Sequence, residues 1–343
     1  MTPTTQLDSI KQNWQEIVAR YQQPSLKRSY WEIANSILPY FFLLFLMFRS
    51  LEISYWLTLA LSIPTAGFLM RIFIIFHDCG HGSFFKSQRL NAFWGFVTGV
   101  ITYTPYHYWK RDHAIHHATV SDLDRRGIGD VKTMTVREYQ ALSTWGKLGY
   151  RLYRNPLIMF VFGPAIVFLF IHRFARKDAG KRERYSVYWT NLALLVAYLV
   201  LIPAVGLQTY LLVHLPVLVI AFSVGVWLFY VQHQFEGTYW EFHKDWDFVT
   251  AAIKGSSFYK LPKVLQWFSG NIGFHHIHHL SPRIPNYLLE KCHNENPIFQ
   301  EIEPITLRSS IKCLNFRLWD DERLKLVSFD ALKDLGDQGL PLA

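Results

Sequence analysis

Cysteine is scarce in this chain and shows no pattern where it occurs. The 343 residues hold three cysteines, Cys79, Cys292 and Cys313, and their spacing suits neither a disulfide framework nor a zinc site. They read as free thiols filling apolar space. The H-E-x-x-H motif of zinc hydrolases is also missing, which excludes that class. No RNA-binding motif, internal repeat or low-complexity tract is present. The first 32 residues lack the apolar region and small-residue cleavage site of a signal peptide, and with Lys11, Arg20, Lys27 and Arg28 they are expected to form a retained cytoplasmic arm.

Charge is absent from two long stretches. Residues 54–70 (SYWLTLALSIPTAGFLM) and 210–231 (YLLVHLPVLVIAFSVGVWLFYV) contain no Lys, Arg, Asp or Glu. A hydrocarbon core about 30 Å thick is crossed at about 1.5 Å per helical residue, so both runs suit membrane spans. Residues 33–48 and 187–205 are shorter or more broken but nearly charge-free. The expected fold is therefore an all-α integral membrane protein. It has four transmembrane helices, short membrane-dipping or interfacial segments, and a cytoplasmic histidine-rich cap. One domain is expected over 1–343, divided into the arm 1–32, a membrane and metal-binding core 33–279, and a cytoplasmic tail 280–343.

Two further apolar runs resist this scheme. Residues 92–104 are too short to cross, while residues 156–171 are marginal in length and carry Gly163-Pro164 at their centre. Length alone permits a fifth span at 156–171. Charge opposes it, because HRFARKDAGKRERY follows with six Lys or Arg, and Arg125, Arg126, Lys132, Arg137, Lys147, Arg151 and Arg154 precede it. Both flanks then belong on the cytoplasmic side, and the run is expected to dip in and return at its Gly-Pro. The net charge of +9 becomes a membrane-facing property, with no nucleic-acid partner implied.

Histidine is what the chain has in excess. Of 15, eight fall into three clusters: His77 and His81 in HDCGH; His113, His116 and His117 in HAIHH; His275, His278 and His279 in HHIHH. On a helix, positions i, i+3 and i+4 share a face, so each cluster is expected to aim its imidazoles at one spot, with His276 turned away. At this histidine content H-x-x-H-H is expected by chance about 0.03 times, and it occurs twice. All three clusters fall on one predicted face of the membrane. Imidazole suits Zn, Cu, Fe and Ni and not Mg or Ca. Eight nitrogens exceed one ion's coordination, which points to two metals, and two irons activating O2 is the chemistry that remains attractive.

The three clusters resemble the histidine boxes of the membrane fatty acid desaturases. The surrounding RIFIIFHDCGHGSFF, SDLDRRGIGDV, RLYRNP, VWLFYVQHQFE, GSSFYKLPK and GNIGFHHIHHLSPRIPNY are similar to the bacterial acyl-lipid desaturases of bacilli, of the delta-5 type. The resemblance implies four transmembrane helices and a non-haem iron pair. The implied reaction takes two hydrogens from a methylene pair of a phospholipid acyl chain, using O2 and two electrons. It makes His77, His81, His113, His116, His117, His275, His278 and His279 the catalytic metal ligands. HAIHH lacks the two basic residues many relatives carry between the histidines, which alters local charge and not the ligands.

His233, in FYVQHQFE directly after the last span, is expected as a ninth metal ligand. His214 stands 19 residues earlier on the same helix, roughly 28 Å away; His172 lies in the basic loop, and His107 and His243 lie outside any cluster. No His-Pro-Gly-Gly of a fused cytochrome b5 is found, so a soluble electron donor, ferredoxin or flavodoxin, is implied. The expected location is the bacterial cell membrane with the site on its cytoplasmic side. Asp78, Asp112 and Asn271 are candidates for orienting the imidazoles. Thr135 to Glu138 reads as a capping box, and Arg71 as a side chain snorkelling to the headgroups. The alternatives are a delta-12 or omega-6 desaturase, a di-iron acyl hydroxylase, and a metal-ion transporter. The last is opposed by spans whose only ionisable side chain is His214.

Overall fold

The computed structural model describes residues 3–332; residues 1–2 of the expected arm and 333–343 of the expected tail lie outside the described residues. Helix α1 (Pro3–Ala19) precedes four helices long and apolar enough to cross a membrane: α2 (Leu26–Ser50), α3 (Tyr55–His81), and, later, α9 (Lys181–Val205) and α10 (Leu207–His233). Ser25 and Ser54 cap the first two through their side chains, and Gly82 ends α3 at φ 71°, a conformation that favours glycine. Pro39, Pro64, Pro203 and Pro216 lie inside these helices, which is tolerated where neighbouring helices shield the freed backbone groups. Tyr40, Leu44 and Met47 of α2 meet Ala66 and Leu69 of α3 and Val213, Val217 and Ala221 of α10 in one core. The outward faces leave Leu38, Phe42, Phe45, Leu199 and Val200 exposed, as a lipid-facing surface requires.

Two elements enter the bilayer without crossing it. Helix α4 (Gln88–Ile101) packs on α3. The chain then reverses at Tyr103, whose φ is 59° and whose hydroxyl lies 3.1 Å from that of Tyr210. Helix α5 (Tyr106–Thr119) carries it back. The second element follows the short helices α6 (Val136–Gln140) and α7 (Thr144–Tyr153). The capping box at Thr135 and Glu138 is present and opens α6.

The turn of this second element does not lie where the sequence suggested. Gly163-Pro164 does not reverse the chain: a π-helical turn, Ile158–Phe162, runs directly into α8 (Gly163–Leu169). A wide turn accommodates a proline that lacks an N–H. The bend of 61° lies between Tyr153 and Ile158. There the buried Arg154 donates to the carbonyls of Lys132 (3.0 Å) and Phe316 (2.9 Å) and to Gln234 (3.2 Å). Phe160 packs on Tyr230 near the end of α10, Phe168 stacks on Phe222 two turns deeper, and Arg176 then pairs with Asp112 beside His113. The segment thus enters and leaves by the same face, reversing beyond α8.

Arg71 also departs from expectation. It does not snorkel. Only 3% of its side chain is exposed; it pairs with Glu32 of α2, lies 3.8 Å over the Trp267 ring and donates to Ser36 and to the Trp267 carbonyl. A guanidinium near a headgroup layer reaches water only if nothing covers it. Here α2 and α12 (Lys263–Phe268) do.

The cap is built by α11 (Phe248–Lys254), α12, α13 (His275–Leu280), α14 (Asn286–Glu295) and short strands. Strand β1 (Met134–Thr135) pairs in parallel with β4 (Leu318–Asp320), which pairs antiparallel with β5 (Lys325–Val327); β2 (Phe258–Lys260) pairs with β3 (Pro304–Thr306). Ile10 and Val18 of α1 share a core with Ile253, Ile277, Leu280 and Leu289. The N-terminal arm is therefore part of what holds the third histidine cluster.

All three native cysteines are buried, so engineered ones report topology cleanly. Lys177→Cys and Arg283→Cys, both exposed, should react with an impermeant maleimide from one face of the membrane and Gln208→Cys from the other. Gln140→Cys, exposed before the bent segment, should react from the same face as position 177, and reaction of these two from opposite faces would make 156–171 a fifth span. Arg71→Met leaves Glu32 without its partner and should cost about 3–5 kcal/mol, read as lower thermal stability in detergent.

Candidate metal centre

The three clusters converge, and His233 joins them. His77 and His81 occupy the last turns of α3, His113, His116 and His117 the second half of α5, His233 the end of α10, and His275, His278 and His279 the whole of α13. Their ring nitrogens form two groups, each within 4.8 Å: His77, His81, His113, His117 and His278, and His116, His233, His275 and His279.

His77 and His81 aim at one spot, as the spacing predicts, but the other two clusters do not. Both H-x-x-H-H triplets split, giving the i and i+4 imidazoles to one group and the i+3 imidazole to the other. Neighbours three and four apart lie on opposite sides of a helix's facing line, at about 100° per residue. One triplet therefore bridges two foci. Because α5 and α13 contribute in opposite sense, each focus receives a pair from one helix and a single ring from the other.

The spacing within the groups is that of rings sharing an ion. Nε2 of His117 lies 3.2 Å from that of His113 and 3.1 Å from that of His278; His77 and His81 are 3.3 Å apart. Nε2 of His233 lies 3.2 Å from that of His116 and 3.0 Å from that of His275. Acceptors fix several tautomers: Nδ1 of His77 faces Asp78 at 3.1 Å, Nδ1 of His116 faces Asp130, and Nδ1 of His233 faces the Gly255 carbonyl at 3.1 Å. Each of these Nδ1 atoms donates, so the Nε2 lone pairs of His116 and His233 point at each other, an arrangement that repels unless a cation lies between them. Burial, followed by the neighbouring imidazoles, holds His113, His117, His275, His278 and His279 well below the usual histidine range. They are neutral near pH 7, the form that ligates. The donor set fits a pair of nitrogen-seeking metal ions.

Of the orienting residues suggested by proximity, Asp78 alone touches an imidazole. Its second oxygen accepts from the backbone and side chain of Asn286, at 2.7 and 2.9 Å, tying the first cluster to the segment after the third. Asp112 instead binds Arg176 through both oxygens, and Asn271 donates to the Asn286 carbonyl. Sequence reasoning missed Asp130 and Gly255. Asp130 follows Gly127 and Gly129, both at positive φ. A Cβ on Gly129 would lie 3.0 Å from the Asp112 carbonyl and 3.1 Å from the His116 Cβ, so glycine lets this turn deliver its carboxylate.

The remaining histidines fall outside both groups. His276 is buried among Phe258, Phe299 and His293, which pushes it down to about 3. His214 stacks on Tyr210, His243 pairs with Asp122 at the surface, His107 packs on Tyr106, and His172 is half-buried beside Phe168.

A cavity of about 400 Å³ leads from the imidazoles into the membrane region. His77, His113, His275 and Trp109 line one end, with Asp112, Asp130 and Tyr153 at the same level; Met70, Phe229 and Gly225 line the middle; Leu69, Ala221, Phe168, Thr102 and His172 line the far end. Trp109 stacks on His113 at 4.2 Å and 20°. Leu69 stands eight residues before His77 and Ala221 twelve before His233, so the far end is about 12–18 Å from the imidazoles.

Comparisons with known proteins agree on one family. The fatty acid desaturase profile matches residues 54–304. A fatty acid desaturase of Bacillus subtilis is 52% identical over 318 residues, 93% of this chain and 90% of that protein. The sn-1 oleoyl-lipid 12-desaturase of a Synechocystis species is 27% identical over 224 residues, 64% of this chain and 63% of its own length. An endoplasmic-reticulum omega-3 fatty acid desaturase of Nicotiana tabacum is 26% identical over 238 residues, 64% of this chain and 60% of its own.

If the lone-pair argument holds, His233→Ala should lose bound metal as completely as His278→Ala, while His214→Ala and His243→Ala keep it. Asp130→Asn should weaken metal binding about 10- to 100-fold. Elemental analysis of the purified proteins decides both; full metal content in His233→Ala would remove it from the site.

Proposed function

This chain belongs to the fatty acid desaturase family, and from that premise we propose that it is an acyl-lipid desaturase placing a cis double bond at C5 of saturated phospholipid acyl chains. The observation that carries the reading is the apolar cavity joining the membrane interior to nine converging imidazoles. A metal-ion transporter needs polar groups along its path; this cavity has an almost wholly apolar middle.

The nine histidines would hold two irons, which when bound supply the O2-derived oxidant able to attack an unactivated C–H bond. The reaction balances as one CH2–CH2 unit, O2, two electrons and two protons giving one CH=CH unit and two waters. The protein's part is positional. Asp78, Asp130 and the Gly255 carbonyl fix imidazole orientation. Trp109 holds the His113 ring by stacking. The walls made by Met70, Phe73, Phe168 and Phe229 hold the acyl chain straight and exclude water from the reacting carbons.

The cavity's depth supports a double bond near the carboxyl end. A stretched hydrocarbon advances about 1.25 Å per carbon, given C–C bonds near 1.5 Å. A far end about 12–18 Å away therefore admits roughly ten to fourteen carbons beyond the reacting pair. A sixteen-carbon chain attacked at C5 leaves ten carbons beyond C6, whereas an omega-6 outcome leaves five. Depth favours C5.

The remaining parts of the reading follow from charge and family. The histidine-bearing helix ends lie on the cytoplasmic side of a bacterial cell membrane, flanked by the basic segments. The whole chain, 1–343, forms one desaturase domain, and electrons come from a soluble ferredoxin or flavodoxin.

Membranes containing the chain should convert saturated phospholipid acyl chains to monounsaturated ones, and only with O2, iron and a reduced donor; hydroxylated chains as the main product would establish the hydroxylase instead. A second test probes the ruler. A Cβ on Gly225 lies at 3.6 Å from Met70 Sδ, so Gly225→Leu fits sterically only by filling the cavity. It should move the double bond toward the methyl end or shift preference to shorter chains. An unchanged product distribution by mass spectrometry contradicts the depth argument.

A further inference from the structure

Eight of the nine clustered histidines are at most 9% exposed, and His81 is half-buried. It ends α3 at the face of the cap where α5 and the start of α9 pack together. There Gly80 crosses Trp109, Tyr108 packs with Ala179 and Val187, and the His107 amide donates to Ser186 at 2.9 Å.

This face is strongly basic. Residues 176–184 bring Arg176, Lys177, Lys181, Arg182 and Arg184, and α5 adds Lys110 and Arg111. Asp112, Asp178 and Glu183 are the acids among them, leaving a net charge of seven minus three, or +4. Asp112 and Asp178 are occupied by Arg176 and Arg111. Lys110 has no carboxylate partner among the described residues; it lies 5.8 Å over the Tyr106 ring and follows Trp109, whose ring meets Gly80 beside His81. Arg182, at the start of α9 where that helix packs on α5, is exposed.

We propose that this patch, centred on Lys110 and Arg182, is the docking surface for an acidic one-electron carrier protein, and that its electrons enter through the His81 edge. The inference rests on the desaturase reading above, which requires two electrons per double bond, hence two dockings of a one-electron carrier per turnover. Charge complementarity selects the occupant: an acidic protein is steered to a basic face and oriented there. The patch also adjoins His81, the one clustered imidazole that is not fully buried. A lipid headgroup would have no use for that proximity.

The test uses the full-length protein in nanodiscs of neutral phosphatidylcholine, with a purified acidic ferredoxin as probe. Lys110→Glu/Arg182→Glu should raise the KM for reduced ferredoxin about tenfold at low salt and flatten its salt dependence. kcat at saturating ferredoxin and the bound metal should stay unchanged, and co-sedimentation with ferredoxin should weaken in parallel. Arg308→Glu/Lys312→Glu, an equal charge change in the tail, should behave as wild type. Wild-type ferredoxin affinity in the Lys110/Arg182 variant overturns the placement. So does a loss that excess ferredoxin does not restore and that follows added phosphatidylglycerol, the signature of a headgroup site. If the wild-type protein accepts electrons from neither ferredoxin nor flavodoxin, the soluble-donor reading falls and the placement with it.

Discussion

Burying one neutral imidazole is tolerable when its N–H finds an acceptor and its lone pair a donor. Burying eight, with a ninth half-buried beside them and their nitrogens converging, is not, because lone pair then faces lone pair. The arrangement is sustainable only around positive charge, and the rest of the cap is built to hold it. Asp78, Asp130 and Gly255 take the outward N–H groups of His77, His116 and His233, so these rings have no freedom to turn their lone pairs elsewhere. Asp78 also grips Asn286, and α1 packs beneath α13. Elements distant in sequence thus converge on ring orientation.

The bilayer supplies the second constraint. A cavity for hydrocarbon beside a polar metal centre must be open to lipid-like substrate yet lack exposed backbone polar groups. Helices satisfy that within each segment, and the four long ones leave a cavity beside α3 and α10. The two re-entrant elements, α4 with α5 and the π turn with α8, fill it from the same face as the histidines. They meet near Thr102 and His172, closing the far end of the cavity at a depth set by how far they penetrate.

Much of this was legible in the residues. Runs without charge located all four crossing helices, because in a membrane the requirement is simple and local. The i, i+3, i+4 spacing singled out the rings that converge, and position after a span singled out His233. What spacing could not tell was how each triplet divides between two foci, since that depends on the angle at which α5 and α13 face each other. Gly163-Pro164 looked like a reversal because those residues usually break helices; a π turn absorbs them here. Arg71 looked like a snorkelling side chain because its cover, Glu32 and Trp267, comes from distant segments. Asp130 carried no local sign beyond two nearby glycines.

The division of the triplets bears on how the histidine helices are held relative to one another. A ring pair at i and i+4 fixes its helix relative to one ion, and the i+3 ring fixes it relative to the other. Two ions held in these groups would therefore lock α5 and α13 in rotation and translation, and α3 and α10 would each tie one ion to the membrane helices. The long apolar helices and the two histidine groups in the cap then share a single frame. Depth along the cavity wall of α3 and α10 becomes a fixed distance from the converging imidazoles. That is the physical requirement for a membrane enzyme that selects one methylene pair among many chemically identical ones.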